Sequence, residues 1–331
     1  MDHYVRRRTV IASLCLAAVA IGGVFVYEFR NAPSSGTVEV RANLEKYRYV
    51  NPLLFVSVGR ETSSAYGSLR DAVASYIDDA KKEGKASAVS FYYRDMNTGR
   101  WTGVNETDAY VPGSMLKVYL LMAYLQIAES DPSVLGRKIL YDSPTQYGKD
   151  FVPAHPLQKG TYYTVNDLLS HTIIESDNES AYLLLNDLSD DYKEQILKQL
   201  DLPDPLPDGT EEISPQAFSH FYRTLYNATF LSRDLSEQAL KFLTQTEYKD
   251  GLVAGLPAGV EVAHKYGQFV VPAGGASPEV KELHDCGIVY HSDAPYFICV
   301  MTKGSDFGEL AKVISGISGI AYGRAADLGR K

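Results

Sequence analysis

Three short clusters carry side chains whose types and spacing can do chemistry: Ser114-Met115-Leu116-Lys117, Ser176-Asp177-Asn178 and Lys265-Tyr266-Gly267. A serine hydroxyl is a weak nucleophile and needs a base beside it. Residues three apart on a helix share a face, so Ser114 and Lys117 point the same way. Val111-Pro112-Gly113 reads as the turn into that helix. Ser114 then sits at a helix N-terminus, where free N–H groups and the dipole favour developing negative charge. To take the serine proton, Lys117 must be neutral part of the time, and burial or a neighbouring positive charge lowers a lysine pKa in that direction. The chemistry these groups support is attack on a strained or polar amide through an acyl-serine.

The other two clusters must arrive from elsewhere in the chain. Ser176-Asp177-Asn178 follows His171-Thr172-Ile173-Ile174-Glu175 and precedes a helical stretch containing Tyr182-Leu183-Leu184-Leu185. Lys265-Tyr266-Gly267 ends a predicted strand, and Gly267 lets the backbone approach a ligand closely. The backbone N–H of Gln268, with that of Ser114, is expected to form an oxyanion hole. Lys265 is expected to bring positive charge for a substrate carboxylate and for the local proton network. Each cluster alone has a plainer reading. S-x-x-K is an ordinary helix start, S-D-N is a helix cap, and Lys265 is a surface lysine at a strand end.

The elements that must position these groups follow from periodicity. Leu69, Val73, Ile77 and Ala80 recur at helical spacing in Tyr66–Glu83. Ala88–Tyr93 is a strand, Asn97-Thr98-Gly99 a turn, and Trp101 begins the return strand. A long helical stretch runs from Ser114 to about residue 244, broken by Pro132, by the Asp142–Gly160 loop and by Pro203–Gly209. Val260–Lys265, Gly287–Tyr290 and Tyr296–Thr302 return to strands, the last two as a hairpin about His291–Ala294, and Phe307–Ile320 is a final helix. The first and last strands must join. The expected fold is α+β: a five-stranded, mostly antiparallel sheet flanked by helices, with an all-helical subdomain (about 112–250) inserted between its halves.

Arg6-Arg7-Arg8 precede an uncharged apolar run from Val10 to Tyr27, about long enough to cross a ~30 Å hydrocarbon core. The arginines place the N-terminus in the cytoplasm. We therefore expect an uncleaved membrane helix within residues 1–30, a stalk over 31–61, and a catalytic domain over 62–331 outside the membrane. Secretion after signal cleavage is the alternative. Leu53–Val56 is a candidate short strand within the stalk.

With 331 residues and a net charge of −9 the chain offers no basic face for nucleic acid. Of its three cysteines, Cys286 and Cys299 flank the C-terminal hairpin turn. Two buried thiols is the favoured reading, with a disulfide as the alternative that the cell exterior permits. No metal or organic cofactor is implied, since nucleophile and base are both side chains. The chain is expected to be a monomer with a small-molecule substrate.

In order, the motifs S-x-x-K, S-D-N and K-x-G resemble the signature of the class A β-lactamase and penicillin-binding serine hydrolase superfamily. The resemblance covers about residues 62–331 and extends to the order of elements. It implies Ser114, Lys117, Ser176, Asn178 and Lys265 as catalytic residues. Ser176 would relay a proton towards the leaving nitrogen, and Asn178 would hydrogen-bond Lys117 and the substrate amide. Tyr266 and Gly267 would bind substrate.

The sequence departs from that pattern in four places. Hydrolysing relatives carry a loop glutamate that positions water, but Leu200–Glu212 is short and lacks E-x-x-L-N. Glu211 and Glu212 lie close to the next helix start, and Asp201 and Asp204 are unsupported substitutes. Tyr266 replaces a small hydroxyl residue that helps hold the substrate carboxylate. Cys286 stands where many relatives keep an arginine, with His284 or Lys303 as candidate compensations. Phe269–Leu283 is a long insertion beside the site, read as a loose surface loop in preference to a lid. The expected function is an active-site-serine amidohydrolase that forms an acyl-enzyme with β-lactams or related amides outside the membrane. The alternatives are a D-alanyl-D-alanine carboxypeptidase-type penicillin-binding protein, and a sensor that binds β-lactam or cell wall without turnover.

Overall fold

Period-two alternation in the strands organises the whole structure. In β3 (Ala88–Asp95), Val89, Phe91 and Tyr93 enter one core while Tyr92 enters another. In β9 (Tyr296–Gly304), Tyr296, Ile298 and Val300 join the first core and Phe297, Cys299 and Met301 the second. Successive side chains on a strand point to opposite faces, so a sheet with two apolar faces needs a helical layer on each.

These features come from a computed structural model, which describes residues 39–41, 46–56, 66–144, 153–200, 212–274, 279–292 and 294–328. With β4 (Trp101–Val104), β7 (Val262–Val271) and β8 (Val280–Val289), the sheet runs β4-β3-β9-β8-β7, every neighbouring pair antiparallel. Strand β3 thus pairs directly with β9, from Ala88↔Lys303 to Asp95↔Tyr296. The expected five-stranded sheet and α+β class are present. The expected membrane helix at Val10–Tyr27 lies outside the described residues. No helix among the described residues is long and apolar enough to cross a membrane.

One face is covered by α1 (Gly67–Lys82), which buries Leu69, Val73, Ile77 and Ala80, and by a long C-terminal helix, Phe307–Leu328. The other face meets the helical subdomain. Its central helix α2 (Lys117–Ser130) is buried almost all round, as a uniformly apolar helix must be. Around it lie α3 (Val165–Ile174), α4 (Asn178–Asp187), α5 (Asp190–Gln199), α6 (Pro215–Tyr226) and α7 (Arg233–Thr244); the C-terminal helix is α8. Side-chain caps start these helices: Thr164 in a capping box with Asp167, then Ser189, Ser214 and Ser232.

The structure adds detail that periodicity did not convey. Within the stretch read as helical, β5 (Lys138–Tyr141) and β6 (Thr161–Thr164) pair as a two-stranded ribbon. Leu53–Val56 is a strand, β2, paired with β1 (Glu39–Arg41). Residues 46–52, assigned to the stalk, pack on the domain. Glu237 of α7 accepts the backbone N–H groups of Arg48 (2.7 Å), Tyr49 (2.8 Å) and Val50 (3.0 Å). The insertion expected as a loose loop instead lengthens β7 and β8, with Phe269↔Glu282, Val270↔Lys281 and Val271↔Val280 in register. β-Branched residues on both sides favour that pairing.

Cys286 and Cys299 are directly opposed across β8 and β9 and form a disulfide, in place of the two thiols expected. The register brings their Cα atoms to 4.0 Å, a separation that sequence alone does not reveal. Alkylation of the denatured but unreduced chain is expected to label neither cysteine. Paired substitution to serine should cost about 3 kcal/mol, the loop-closure value for a ring of roughly 15 residues, measured as a loss of urea stability.

Candidate active site

The turn that presents Ser114 is held from both sides. The Val111 N–H donates to Glu282 Oε2 (3.1 Å), and the Val111 carbonyl accepts from His284 Nε2 (3.1 Å). His284 Nδ1 accepts the Thr302 N–H (3.1 Å), which leaves the ring proton on Nε2 for Val111. Lys303 pairs with Glu282 at 3.1 Å. Burial pushes the Glu282 carboxyl up, but the hydrogen bonds from His284 and Lys303 outweigh it and hold the group below the usual range.

Two glycines then let this turn press on β7. Gly113 has φ +54°, a region that favours glycine, and a Cβ there would lie 2.5 Å from the Gln268 carbonyl oxygen. A Cβ on Gly267 would lie 2.1 Å from the Pro112 carbonyl oxygen. The backbone of Gln268 is therefore brought beside the start of the Ser114 turn, as the expected oxyanion hole needs.

Gly113–Leu116 forms a 3₁₀ turn that runs into α2 at Lys117. Side chains at i and i+3 eclipse in such a turn, so Ser114, half-buried, and Lys117 lie on one side. The Lys117 amine is buried and donates to the Ser176 carbonyl (2.5 Å) and to Asn178 Oδ1 (2.6 Å), with Ser176 Oγ at 3.4 Å. From the other direction Lys265 Nζ donates to Ser176 Oγ at 2.8 Å. One hydroxyl thus lies between two lysines.

The S-D-N cluster does two jobs at once. Asp177 caps α4, accepting the backbone N–H groups of Glu179 (3.2 Å) and Ser180 (2.9 Å). Ser176 has φ +59°, a conformation costing of order 1–3 kcal/mol for a non-glycine residue. The capping Asp177 and the bond from its N–H to the His171 carbonyl (3.0 Å) hold that turn. Ser176 and Asn178 are left to face the lysines. The helix-cap reading is right for Asp177 and does not extend to its neighbours.

Electrostatics follow from burial. Desolvation pushes the Lys117 amine down to about 7, against the opposing pull of Asp177. Lys265 is also pushed well below an ordinary lysine, first by burial and then by the charge of Lys117, with Asp285 opposing. Lys265 is 0% exposed, which overturns its reading as a surface lysine. Behind it, His264 Nδ1 meets Asp285 Oδ1 at 2.8 Å, and Asp285 Oδ2 accepts the Leu252 N–H (2.9 Å).

The proposed compensations do not reach the centre. His284 is committed to Val111 and Thr302, and Lys303 to Glu282 and, at 3.6 Å, to Glu212. Asp201, Asp204 and Glu211 lie outside the described residues. Among the described residues no cluster of His, Cys, Asp or Glu is arranged to hold a metal. Two contributors went unrecognised in the sequence. Glu282 had only a weak signal, as one charged residue beside Lys281, His284 and Asp285 in the same strand. Tyr248, stacked on Tyr266 with ring centroids 4.0 Å apart, had none.

A family model, that of the beta-lactamase enzyme family, matches residues 69–325. A beta-lactamase of Streptomyces fradiae is 29% identical over 147 residues, 41% of this chain and 48% of that protein, so the chain spans about half of that relative. Among solved structures, PBP-A superposes with a TM-score of 0.64 at 18% identity, covering 78% of this chain and 96% of that one. A mutant of PBP-A solved as an acyl-enzyme complex with penicillin G gives 0.62 at 18% identity, covering 78% and 97%. A class A beta-lactamase from Mycobacterium abscessus gives 0.61 at 22% identity, covering 76% and 97%. At these identities the likeness is one of fold.

Lys117 near 7 has a consequence for stability. Above about pH 7 the folded chain leaves this amine unprotonated, while the unfolded chain keeps it protonated to about pH 10. The unfolded state binds more protons in that window, so this group's contribution makes stability rise with pH. The rise in urea midpoint from about pH 7 to about pH 9.5 should be smaller in Lys117→Met; an identical slope would contradict a buried, easily deprotonated Lys117.

Proposed function

This chain belongs to the beta-lactamase enzyme family, and from its site we propose an active-site-serine hydrolase that forms an acyl-enzyme at Ser114 with β-lactams or related amides. The observation that carries this reading is the placement of Ser176 Oγ between Lys117 and Lys265, beside the turn that bears Ser114. A neutral lysine has two N–H groups and one lone pair. The Ser176 carbonyl and Asn178 Oδ1 take the two N–H groups of Lys117. Its lone pair is left for the proton of Ser114.

The steps then balance. Ser114 Oγ bonds to the acyl carbon as its proton passes to Lys117 Nζ. Negative charge on the carbonyl oxygen is stabilised by the N–H groups of Ser114 and Gln268. The C–N bond breaks, and the leaving nitrogen takes the proton of Ser176 Oγ. Ser176 recovers a proton from Lys117, 3.4 Å away, while the bond from Lys265 orients its hydroxyl. Water then cleaves the acyl-serine.

A second reading concerns the lifetime of that adduct. Glu212 is paired with Lys303 and the E-x-x-L-N pattern is missing. This favours slow deacylation, as in a penicillin-binding carboxypeptidase or a non-turnover sensor. We also place the catalytic domain outside the membrane. The basic and apolar N-terminal run supports an anchor, and the Cys286–Cys299 disulfide supports an oxidising compartment.

Intact-mass measurement of the full-length chain with a penicillin is expected to give an adduct that is absent in Ser114→Ala. A transient adduct means hydrolysis, and a persistent one means a binding protein or sensor. Identical behaviour of wild type and Ser114→Ala would sink the nucleophile assignment. Lys117→Ala should slow acylation by ~10²-fold or more, and the wild-type rate should climb with pH through about 7, as Lys117 loses its proton. Gly267→Ala, whose Cβ would collide with Pro112, should cost ~10²-fold by displacing the Ser114 turn.

A further inference from the structure

Lys265 was expected to meet a substrate carboxylate, but its surroundings close it off. Its amine lies 4.2 Å from the centroid of the Tyr266 ring and donates to Ser176 Oγ (2.8 Å) and the Tyr266 carbonyl (3.1 Å). Tyr266, 7% exposed, is stacked on Tyr248 with an interplanar angle of 20°. The two rings and the amine form one column, with the Lys265 nitrogen over the Tyr266 face and the second ring behind it. The neighbouring Lys249 turns its own amine back onto the Thr246 carbonyl (2.5 Å). His284 and Lys303 are committed elsewhere, as described above.

We propose that the site selects acyl substrates with no anionic group beside the reacting carbonyl (neutral amides, lactams or esters), because the Tyr248–Tyr266 stack roofs Lys265 and no other cation among the described residues is shown open to them. This rests on the acyl-serine reading above and narrows its substrate class. A carboxylate brought to this position would lose water without gaining a charged partner, which is costly. An uncharged group loses little and gains contact with the rim of the aromatic stack. Replacing Tyr266 by a small hydroxyl residue removes the roof, and the rehydrated Lys265 regains its proton and can meet a carboxylate as an ammonium.

The test compares Ser114 acylation of the full-length chain by benzylpenicillin and by its methyl ester, each rate corrected for the compound's own rate with hydroxide. In the wild type the ester should react at least as fast as the acid. In Tyr266→Thr the acid should gain at least about tenfold relative to the ester, the worth of one recovered charge-assisted hydrogen bond. Tyr266→Phe keeps the ring and should keep the wild-type ratio. A wild-type preference for the acid overturns the proposal, and so does a folded Tyr266→Thr with an unchanged ratio or a Tyr266→Phe that shifts as Tyr266→Thr does. If the wild type fails the comparison while Ser114 is labelled, the selectivity alone is wrong. If neither compound labels Ser114, the acyl-serine reading falls and takes this proposal with it.

Discussion

Two lysines buried around one serine hydroxyl set the terms for the rest of this molecule. An ammonium taken out of water is costly unless it is paired or loses its proton. Lys117 and Lys265 are relieved by neutral oxygens: the carbonyl and hydroxyl of Ser176 and the amide of Asn178. Asp177, the nearest charged group of that cluster, spends its oxygens on the α4 N-terminus. The lysines therefore stay under pressure to be neutral, which a structural ion pair would abolish. That pressure is what turns an amine into a base at neutral pH.

Such a centre needs two layers to meet with little slack. Lys117 and Ser176 come from the helical subdomain and Lys265 from the sheet. Their junction is made by Gly113 and Gly267, where a single methyl group on either side would collide with opposing backbone. Glu282 and His284, reaching across from β8, fix the entry to the same turn. The disulfide between β8 and β9 lies within that sheet and faces the subdomain core. Rigidity is thus placed where Ser114, Lys117 and the backbone of Gln268 must keep register.

Much of this was legible in residue order. Helical spacing in Leu69–Ala80 and alternation in Ala88–Tyr93 gave away the elements, because burial on one face or two leaves a periodic trace. The ribbon of Lys138–Tyr141 with Thr161–Thr164 did not, since two four-residue segments carry too little periodicity to stand out from a broken helix. The insertion after Gln268 reads as a loop from its length, whereas the pairing of Val270 and Val271 with β8 decided its form.

The chain's residue order by itself determined which reacting groups are present and which share a turn, because Ser114 and Lys117 are bound by local geometry, and the apolar patterns fix helix or strand. Only tertiary structure decided the rest. Ser176 and Lys265 are 89 residues apart, and their meeting exists through packing alone. The protonation of the lysines depends on how completely the fold excludes water around them. The bond between Cys286 and Cys299 depends on strand register, and the shielding of Lys265 depends on Tyr248 arriving from a different loop to stack on Tyr266. Contacts between distant segments leave no periodic mark on either one, which is why no reading of a single segment could supply them.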